Sequence, residues 1–556
     1  MILERLRDFH ERIRDELIPR HHKDQRIRCF LEINEAGELT GITDSEDTEV
    51  MGPSSYRTSH ILPHFPVDKA GYVLGIPKSE SEGHRKRAAK MHEAYVELAE
   101  KATQEIDSPS LDPFLRFLKE NVRDGRKRAI QREVEYGDFV VPRLAGTALR
   151  PDREPTLRAF WQHHMDEKLG DRTNFSSECA VCGEVKPIAD LHSKVSGVGA
   201  QPVGMVVGDK DAYRSHGLKK SEIAPTCFEC ADTYTQVLQY LLDEDRHYLR
   251  LADVTWVYWT DGGDDFDPMS MLSDPDSREV ETLLKAPQGA TPPGTVETDR
   301  FYAAALTSNI SRLAVRSWVT ATVEEIQQNV ADYFERMRLG RGPDARYHGL
   351  YALAGSTVRE LDDLPPQTVE ILLSHALTGR RLPLSLLHRA VRRARADSEN
   401  TITHPRAALL KLVLLSNESA PVTPMLNPDH DSPAYHCGRL LAVLEDIQRR
   451  AIDPNTTLVD RYYGTASTAP ASVFGNLLRT AQSHLGKLRR SDADRGFGVN
   501  RQKELGEIMS KLDDFPNTLS AQQQALFGLG YYQQRQARFE SGDEEPPEEE
   551  PAEAAA

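Results

Sequence analysis

Cys179 and Cys182 form one Cys-x-x-Cys pair and Cys227 and Cys230 form another, on either side of a 44-residue insert rich in Gly, Lys and His. Thiolates at i and i+3 of a tight turn point at one ion, so two such pairs make a closed, structural zinc site. A pair of disulfides is the competing chemistry, and nothing in the chain signals the secretion it requires. Cys29 and Cys437 stand alone and read as small buried hydrophobes.

The insert carries its own chemistry. Residues 191–208, LHSKVSGVGAQPVGMVVG, set His192 and Lys194 beside four glycines, which let a backbone approach a ligand closely. Lys210, Arg214, His216, Lys219 and Lys220 follow before the second Cys pair. A pinned, cation-bearing loop suits phosphate contact and insertion into a groove, and a stapled hairpin with a solvated basic face fits the same residues. One catalytic reading is open, a zinc-supported HNH-like nuclease built on His192. Lys194 and Ala231 stand against it, near positions where such enzymes carry His. The chain has no Walker loop, GxSxG, HExxH or Gly-rich turn after a strand. The run 261–267, DGGDDFD, lacks ordered ligand spacing and reads as a polar turn rather than a metal loop.

The surrounding elements follow from periodicity. Ile2, Leu3, Leu6, Phe9 and Ile13 predict an amphipathic first helix. Residues 28–33 and the stretch through Leu39 predict a hairpin turning over 34–37. Residues 57–78 read as loop with a short strand at 72–74. A helix is predicted over 82–101, with Ala88, Met91, Tyr95 and Leu98 inward and Arg85, Lys86, Arg87 and Lys90 outward. Residues 107–175 alternate, with helices at 113–122 and 156–168 and an extended run at 138–144. Residues 231–243 read as helix and 255–260, TWVYWT, as strand. Residues 267–300 look like linker, with Pro, Gly and Thr dense over 286–298. A strand at 301–306 leads to a further strand and helix, where Arg312 and Arg316 reach one surface if helical, although 315–322 also fits an extended run. From 362 onward the pattern is helical. Leu440, Leu444 and Ile447, then Phe474, Leu477, Leu478, Ala481 and Leu485, then Leu505, Ile508, Met509 and Leu512, and lastly Leu526, Phe527 and Leu529 give four stripes of one bundle.

The fold class expected is an α+β N-terminal region with a zinc-stapled insertion, followed by an α-helical C-terminal bundle. The expected boundaries are 1–175 for the N-terminal region and 176–235 for the four-cysteine insertion. A mixed, then helical middle region spans 236–420, the bundle 425–540, and a disordered acidic tail 541–556.

The 556 residues carry a formal charge of −17, and the tail holds seven acids and no base. Basic clusters at 84–90, 123–132, 389–395 and 487–490 make any nucleic-acid contact local. No apolar run approaches a membrane span. The opening residues lack the apolar core of a signal peptide, so a cytoplasmic location is expected.

Several stretches together carry a family resemblance: MILERL at the start, DKAGYVLG (68–75), LHSKVSGVGAQPVG (191–204), LTSNISRLAVRSW (306–318), PAYHCGRLLAVLEDIQ (433–448), DRYYGTASTAPASVFGNLLRTAQSHLGK (460–487) and LFGLGYYQQRQ (526–536). The chain resembles the large subunit of the type I-C CRISPR Cascade, an RNA-guided surveillance complex. That resemblance implies a non-enzymatic subunit that contacts the PAM duplex beside the target, helps open it and docks the helicase-nuclease. Base pairing with the guide RNA reads the rest. The implied partners are the other Cascade subunits, guide RNA, target duplex and the recruited helicase-nuclease. The family also makes a small subunit from an internal start, for which Met425 is suitably placed. Val207, Gly208 and Asp209 depart from the Ser-Phe-Asn that members carry after the glycine-rich stretch, which points to a different PAM or a different reader.

Under that reading Lys194 and Gln201 are the candidates for PAM contact, Gln201 because a side-chain amide pairs with base edges. Arg85, Lys86, Arg87, Arg312 and Arg316 are the candidates for the duplex backbone. Arg449, Arg479 and Lys487 are those for the displaced strand. Independently of the resemblance, the spacing of Cys179, Cys182, Cys227 and Cys230 makes them the expected zinc ligands.

Overall fold

The structure is a computed structural model that describes residues 2–45, 49–54, 61–146, 150–170, 175–208, 214, 216–218, 220–262, 267–285, 299–340, 345–397 and 401–540. It divides into two compact units, Met1–Asp243 with Ser308–Ala314, and Glu244–Thr307 with Val315–Ala556. The tail at 541–556 and residues 263–266 and 286–298, read above as disordered, turn and linker, lie outside the described residues.

The first unit opens with α1 (Ile2–Ile13), whose Leu6, Phe9 and Ile13 are buried, as their three- and four-residue spacing requires. β1 (His22–Arg26), β2 (Cys29–Ile33), β3 (Leu39–Asp44) and β4 (Glu49–Pro53) follow. β2 and β3 pair antiparallel around a turn closed by the Gly37 N–H donating to the Asn34 carbonyl at 2.9 Å. β5 (Asp68–Lys69) leads straight into α2 (Ala70–Val73). The strand expected at 72–74 is thus a helical turn, closed by Leu74 N–H on the Ala70 carbonyl at 2.9 Å. All four α2 residues are buried, so the sequence offers neither period there.

α3 (Glu82–Glu105) starts at Ser81, whose side chain accepts from the His84 N–H, and buries Ala88, Met91, Tyr95 and Leu98. α4 (Leu111–Arg116), a π turn at Phe117–Asn121 and α5 (Val122–Gln131) then run on without a break. β6 (Phe139–Leu144) pairs parallel with β2 and completes a four-stranded sheet of order β3-β2-β6-β5. α6 (Pro155–Gly170) precedes the short hairpin β7 (Ser176–Glu178) and β8 (Val185–Pro187), and α7 (Phe228–Asp243) ends the first run.

The second unit holds β9 (Tyr248–Leu251), β10 (Val254–Thr260), β11 (Arg300–Asn309) and β12 (Arg312–Thr322) in a sheet of order β12-β11-β10-β9. The tip joining β11 to β12, Ser308–Ala314, groups with the first unit. Arg312 and Arg316 therefore lie on a strand, not a helix, and their even spacing still puts both on one face. The region expected as linker contains α8 (Pro268–Ser273) and α9 (Ser277–Lys285). Asp residues at their N-termini start these helices. Asp267 Oδ1 accepts from Met269 and Ser270 N–H at 3.0 and 3.1 Å, and Asp276 Oδ1 accepts from Arg278 N–H at 2.8 Å.

The remainder is helical: α10 (Val323–Met337), α11 (Leu350–Gly355), α12 (Pro366–Thr378), α13 (Leu384–Ala396), α14 (His404–Ser416), α15 (Pro433–Ile452), α16 (Leu458–Ala466), α17 (Phe474–Arg490), α18 (Arg495–Met509) and α19 (Ala521–Glu540). α15 lies at its centre, with three quarters of its residues buried. Glycines let α19 come into backbone contact with it: a Cβ on Gly438 would sit 1.9 Å from the Phe527 carbonyl oxygen, and one on Gly530 2.1 Å from that of Tyr435. Leu440, Leu444, Ile447, Phe474, Leu477, Ala481, Leu485, Leu505, Ile508, Leu526, Phe527 and Leu529 are buried in one core with Leu478 and Met509 packed against it. No helix among the described residues is long and apolar enough to cross a membrane.

Candidate metal centre and nucleic-acid interface

Two different local structures present the four cysteines. Cys179 and Cys182 occupy the β7–β8 turn, where the Cys179 N–H donates to the Glu184 carbonyl and the Gly183 N–H to the Cys179 carbonyl, both at 2.9 Å. Gly183 takes φ 74°, a left-handed conformation that a side chain would strain. Cys227 and Cys230 begin α7, with the Ala231 N–H on the Cys227 carbonyl at 2.9 Å. A bridge between Ile188 and Cys227 joins the two halves. The cluster is sealed by Leu3 of α1 and by Val181, and Arg7 of α1 donates to the Val181 carbonyl at 3.0 Å.

No disulfide joins any of the six cysteines. The four sulfurs lie within 4.8 Å of one another, and Cys182 and Cys227 are 4.0 Å apart. Sulfur–zinc bonds of about 2.3 Å set tetrahedral S···S edges near ~3.8 Å, so the cluster needs little adjustment to hold such an ion. Backbone N–H groups already point at the sulfurs, from Cys227 to Cys179 Sγ at 3.3 Å and from Cys230 to Cys227 Sγ at 3.5 Å. Cys227 is pulled toward thiolate by the hydrogen bond from Cys230, whose own thiol is pushed up in return. Four soft donors in an apolar shell fit a closed structural site.

The glycine-rich loop is a pinched structure. Val195 and Val203, both buried, exchange backbone hydrogen bonds at 2.9 and 2.8 Å, so 196–202 project as a closed loop. The Ser196 N–H is held by Gln239 of α7 at 2.8 Å. Lys194 and Gln201 are exposed, at the foot and on the limb of this loop. Neither has a side-chain partner among the described residues.

The loop in turn holds the tip of the β11–β12 hairpin. Gly204 N–H donates to the Ser311 carbonyl at 3.0 Å, and Leu313 N–H donates to the Gly204 carbonyl at 2.9 Å. Gly204 and Arg312 form a parallel bridge. A Cβ on Gly199 would lie 2.5 Å from Ser308 Oγ, so that contact needs glycine. At the apex stands Ile310, 90% exposed with φ 57°. A β-branched residue in the left-handed region is costly, and here it points its side chain at solvent.

Lys194, Gln201 and Arg312 thus come together, although more than a hundred residues separate the first from the last. Sequence reasoning missed Ile310. Its signal was the polar frame Ser308-Asn309-Ile310-Ser311 between two β-prone runs. Of the remaining candidates, Arg85 pairs with Glu80 at 2.9 Å and Lys86 with Glu82 at 2.7 Å, and Arg87 is exposed on the same helix. In the second unit Arg316 donates to Thr307 Oγ1 at 3.2 Å. Arg449 is held by Glu445 at 3.0 Å, Lys487 donates to the Ala451 carbonyl at 2.6 Å, and Arg479 is exposed. Lys210 and Lys219 lie outside the described residues, and Lys220 opens a 3-10 turn, Lys220–Ile223.

His192 is tucked in rather than presented. Its Nδ1 lies 2.6 Å from the Tyr234 hydroxyl, its Nε2 is buried without a partner among the described residues, and burial pulls its pKa down to about 4. That makes it a neutral packing residue at neutral pH.

Compared with known families, residues 4–539 match the one described as CRISPR-associated protein (Cas_Csd1). No curated protein matches the chain.

Proposed function

We propose a function for a chain that belongs to the Cas_Csd1 family of CRISPR-associated proteins, the type I-C large subunits, across nearly its whole length. It serves as the PAM-contacting, duplex-opening subunit of an RNA-guided surveillance complex, without a catalytic centre of its own. The observation that carries this is the joint between the pinched loop and the hairpin tip. Lys194 and Gln201 offer a cation and an amide suited to phosphate and base edges. Ile310 stands beside them as an apolar wedge of the kind that unstacks a base step. Only a nucleating wedge is required, because the guide–target hybrid is about as stable as the DNA it replaces.

The four-cysteine cluster, holding zinc, has a mechanical part in this reading. It fixes the β7–β8 turn to the start of α7, and α7 supplies Gln239 to the loop. Arg85, Lys86, Arg87, Arg312 and Arg316 serve the duplex backbone, and Arg449, Arg479 and Lys487 the displaced strand. The partners are the other Cascade subunits, guide RNA, target duplex and a helicase-nuclease that docks after opening.

The test places 2-aminopurine at the first target step beside the flanking motif and follows its fluorescence as the guide-loaded complex binds. Wild type should raise the signal, and Ile310→Asp should bind the flank yet open the step at least tenfold more slowly. Equal opening rates would remove the wedge from the account. The nuclease alternative predicts divalent-dependent nicking that disappears in His192→Ala.

A further inference from the structure

One basic cluster has no part in the reading above. α13, LSLLHRAVRRARA, carries four arginines and a histidine and not one acid, in a chain whose formal charge is −17. Leu386, Leu387, Ala390, Val391 and Ala394 are buried. His388, Arg392 and Arg395 are exposed at i, i+4 and i+7, a single stripe along the outer face.

The stripe continues onto α16. Gly464 brings that helix against the end of α13, where a Cβ would sit 3.8 Å from the Arg395 carbonyl oxygen. One turn earlier on the same side is Arg461, exposed, and next to it Tyr462 is 40% exposed. Several exposed cations of this unit sit against carboxylates, Arg450 on Asp494, Arg495 on Asp492 and Lys511 on Asp429. Arg392, Arg395 and Arg461 have no such partner among the described residues. Asp397, the carboxylate that follows α13, is taken by Arg393 and Arg406 at 3.0 and 3.4 Å, and Asp460 is spent capping α16.

We propose that the α13–α16 face, Arg392, Arg395 and Arg461 with Tyr462, is a binding track for single-stranded nucleic acid. The arginines take successive phosphates and the tyrosine ring takes the face of an unpaired base. Cations that track a backbone, combined with an exposed aromatic on which a base stacks, are what sequence-tolerant single-strand binding requires. A duplex hides its base faces and gives Tyr462 nothing to stack on. The proposal rests on the family's work with guide RNA and DNA, but not on where the flanking motif is read.

The test uses the full-length protein and the assembled complex with a fluorescent 30-nucleotide mixed-sequence DNA strand, the same sequence as RNA, and the DNA duplex, across a salt series. The variants are Arg392→Gln/Arg395→Gln/Arg461→Gln and Tyr462→Ala, with Arg495→Gln, an ion-paired residue outside the track, as control. Circular dichroism melting checks that each is folded. Removing three phosphate contacts should lower the salt slope by about 2. Tyr462→Ala should weaken single-strand binding about tenfold with the slope unchanged. Preference for DNA would mark the displaced strand as occupant and preference for RNA the guide. An unchanged slope in the triple variant overturns the proposal, as does duplex binding equal to single-strand binding with Tyr462→Ala silent. A wild-type flank preference that survives in the triple variant keeps the two readings separate: the track then fails or stands without touching PAM recognition.

Discussion

Gly199→Ala examines the joint on which the proposed site depends. The added Cβ would fall 2.5 Å from Ser308 Oγ and 2.7 Å from Ser308 Cβ, inside any real contact distance, so the loop or the hairpin tip must move. Overpacking of this kind costs about 1–3 kcal/mol, and here it falls on one local interface rather than on a whole core. Read by hydrogen exchange, that loss corresponds to faster opening by roughly 5- to 150-fold at the amides of Val195, Val203, Gly204 and Leu313. Those amides close the loop and hold the tip. Ser308→Gly deletes both clashing atoms, so the double variant should return exchange to within about threefold of wild type, a coupling of about 1 kcal/mol or more. Flank selectivity of the complex should follow the same pattern, lost in the single variant and regained in the double. If Gly199→Ala exchanges like wild type, the loop and tip are not in contact in solution. If it exchanges faster and flank selectivity is unaffected, the joint is real but has no part in recognition.

Other outcomes follow from the same structure. Purified chain should carry one zinc by mass spectrometry, and Cys182→Ser should lose it and expose 176–243 to proteolysis, since a structural ion contributes to folding outright; retention of the metal would contradict the assignment. His348 and His404 hydrogen-bond at 2.7 Å, with burial drawing them down to about 4 and about 3. The unfolded chain then binds more protons below pH ~6.5, so stability should fall by about 1.4 kcal/mol per pH unit per group as pH drops toward 4. His404→Phe should remove one group's share of that slope in urea unfolding, and an unaltered slope would refute the coupling. Arg449→Gln should change displaced-strand binding less than Arg479→Gln, because Glu445 already holds Arg449. At 62.4 kDa for 556 residues, an internal product spanning 425–556 would weigh about 15 kDa, and Met425→Leu should abolish it in the purified complex.

What the sequence disclosed depended on the range of the interaction. The Cys quartet was readable because each pair is local and the chemistry of four thiolates is specific. The bundle was readable because α15, α17, α18 and α19 each repeat their apolar residues at helical spacing. Charge pairs within one helix are equally local: Glu82 and Lys86 stand in an i, i+4 relation that the sequence displays, although the start of that helix reads there only as a basic face. By contrast, nothing near Gly204 announces Ser311, and nothing near Gly199 announces Ser308. Those contacts join segments about a hundred residues apart, and glycine's lack of a side chain leaves no pattern to read. Residues 70–73 failed for another reason, since a turn buried on every side shows no period. Residues 267–285 failed because the Pro-, Gly- and Thr-rich run after them set the linker reading, while Asp267 and Asp276 cap two short helices ahead of it.

The most direct measurement is selection by the guide-loaded complex from matched duplexes whose three flanking bases are randomised, with wild type and Lys194→Ala side by side. The account predicts that wild type enriches one flank and that the enrichment collapses in Lys194→Ala, with little change in affinity for already opened target. The same flank enriched to the same degree in both would contradict it, and recognition would then have to lie away from the pinched loop.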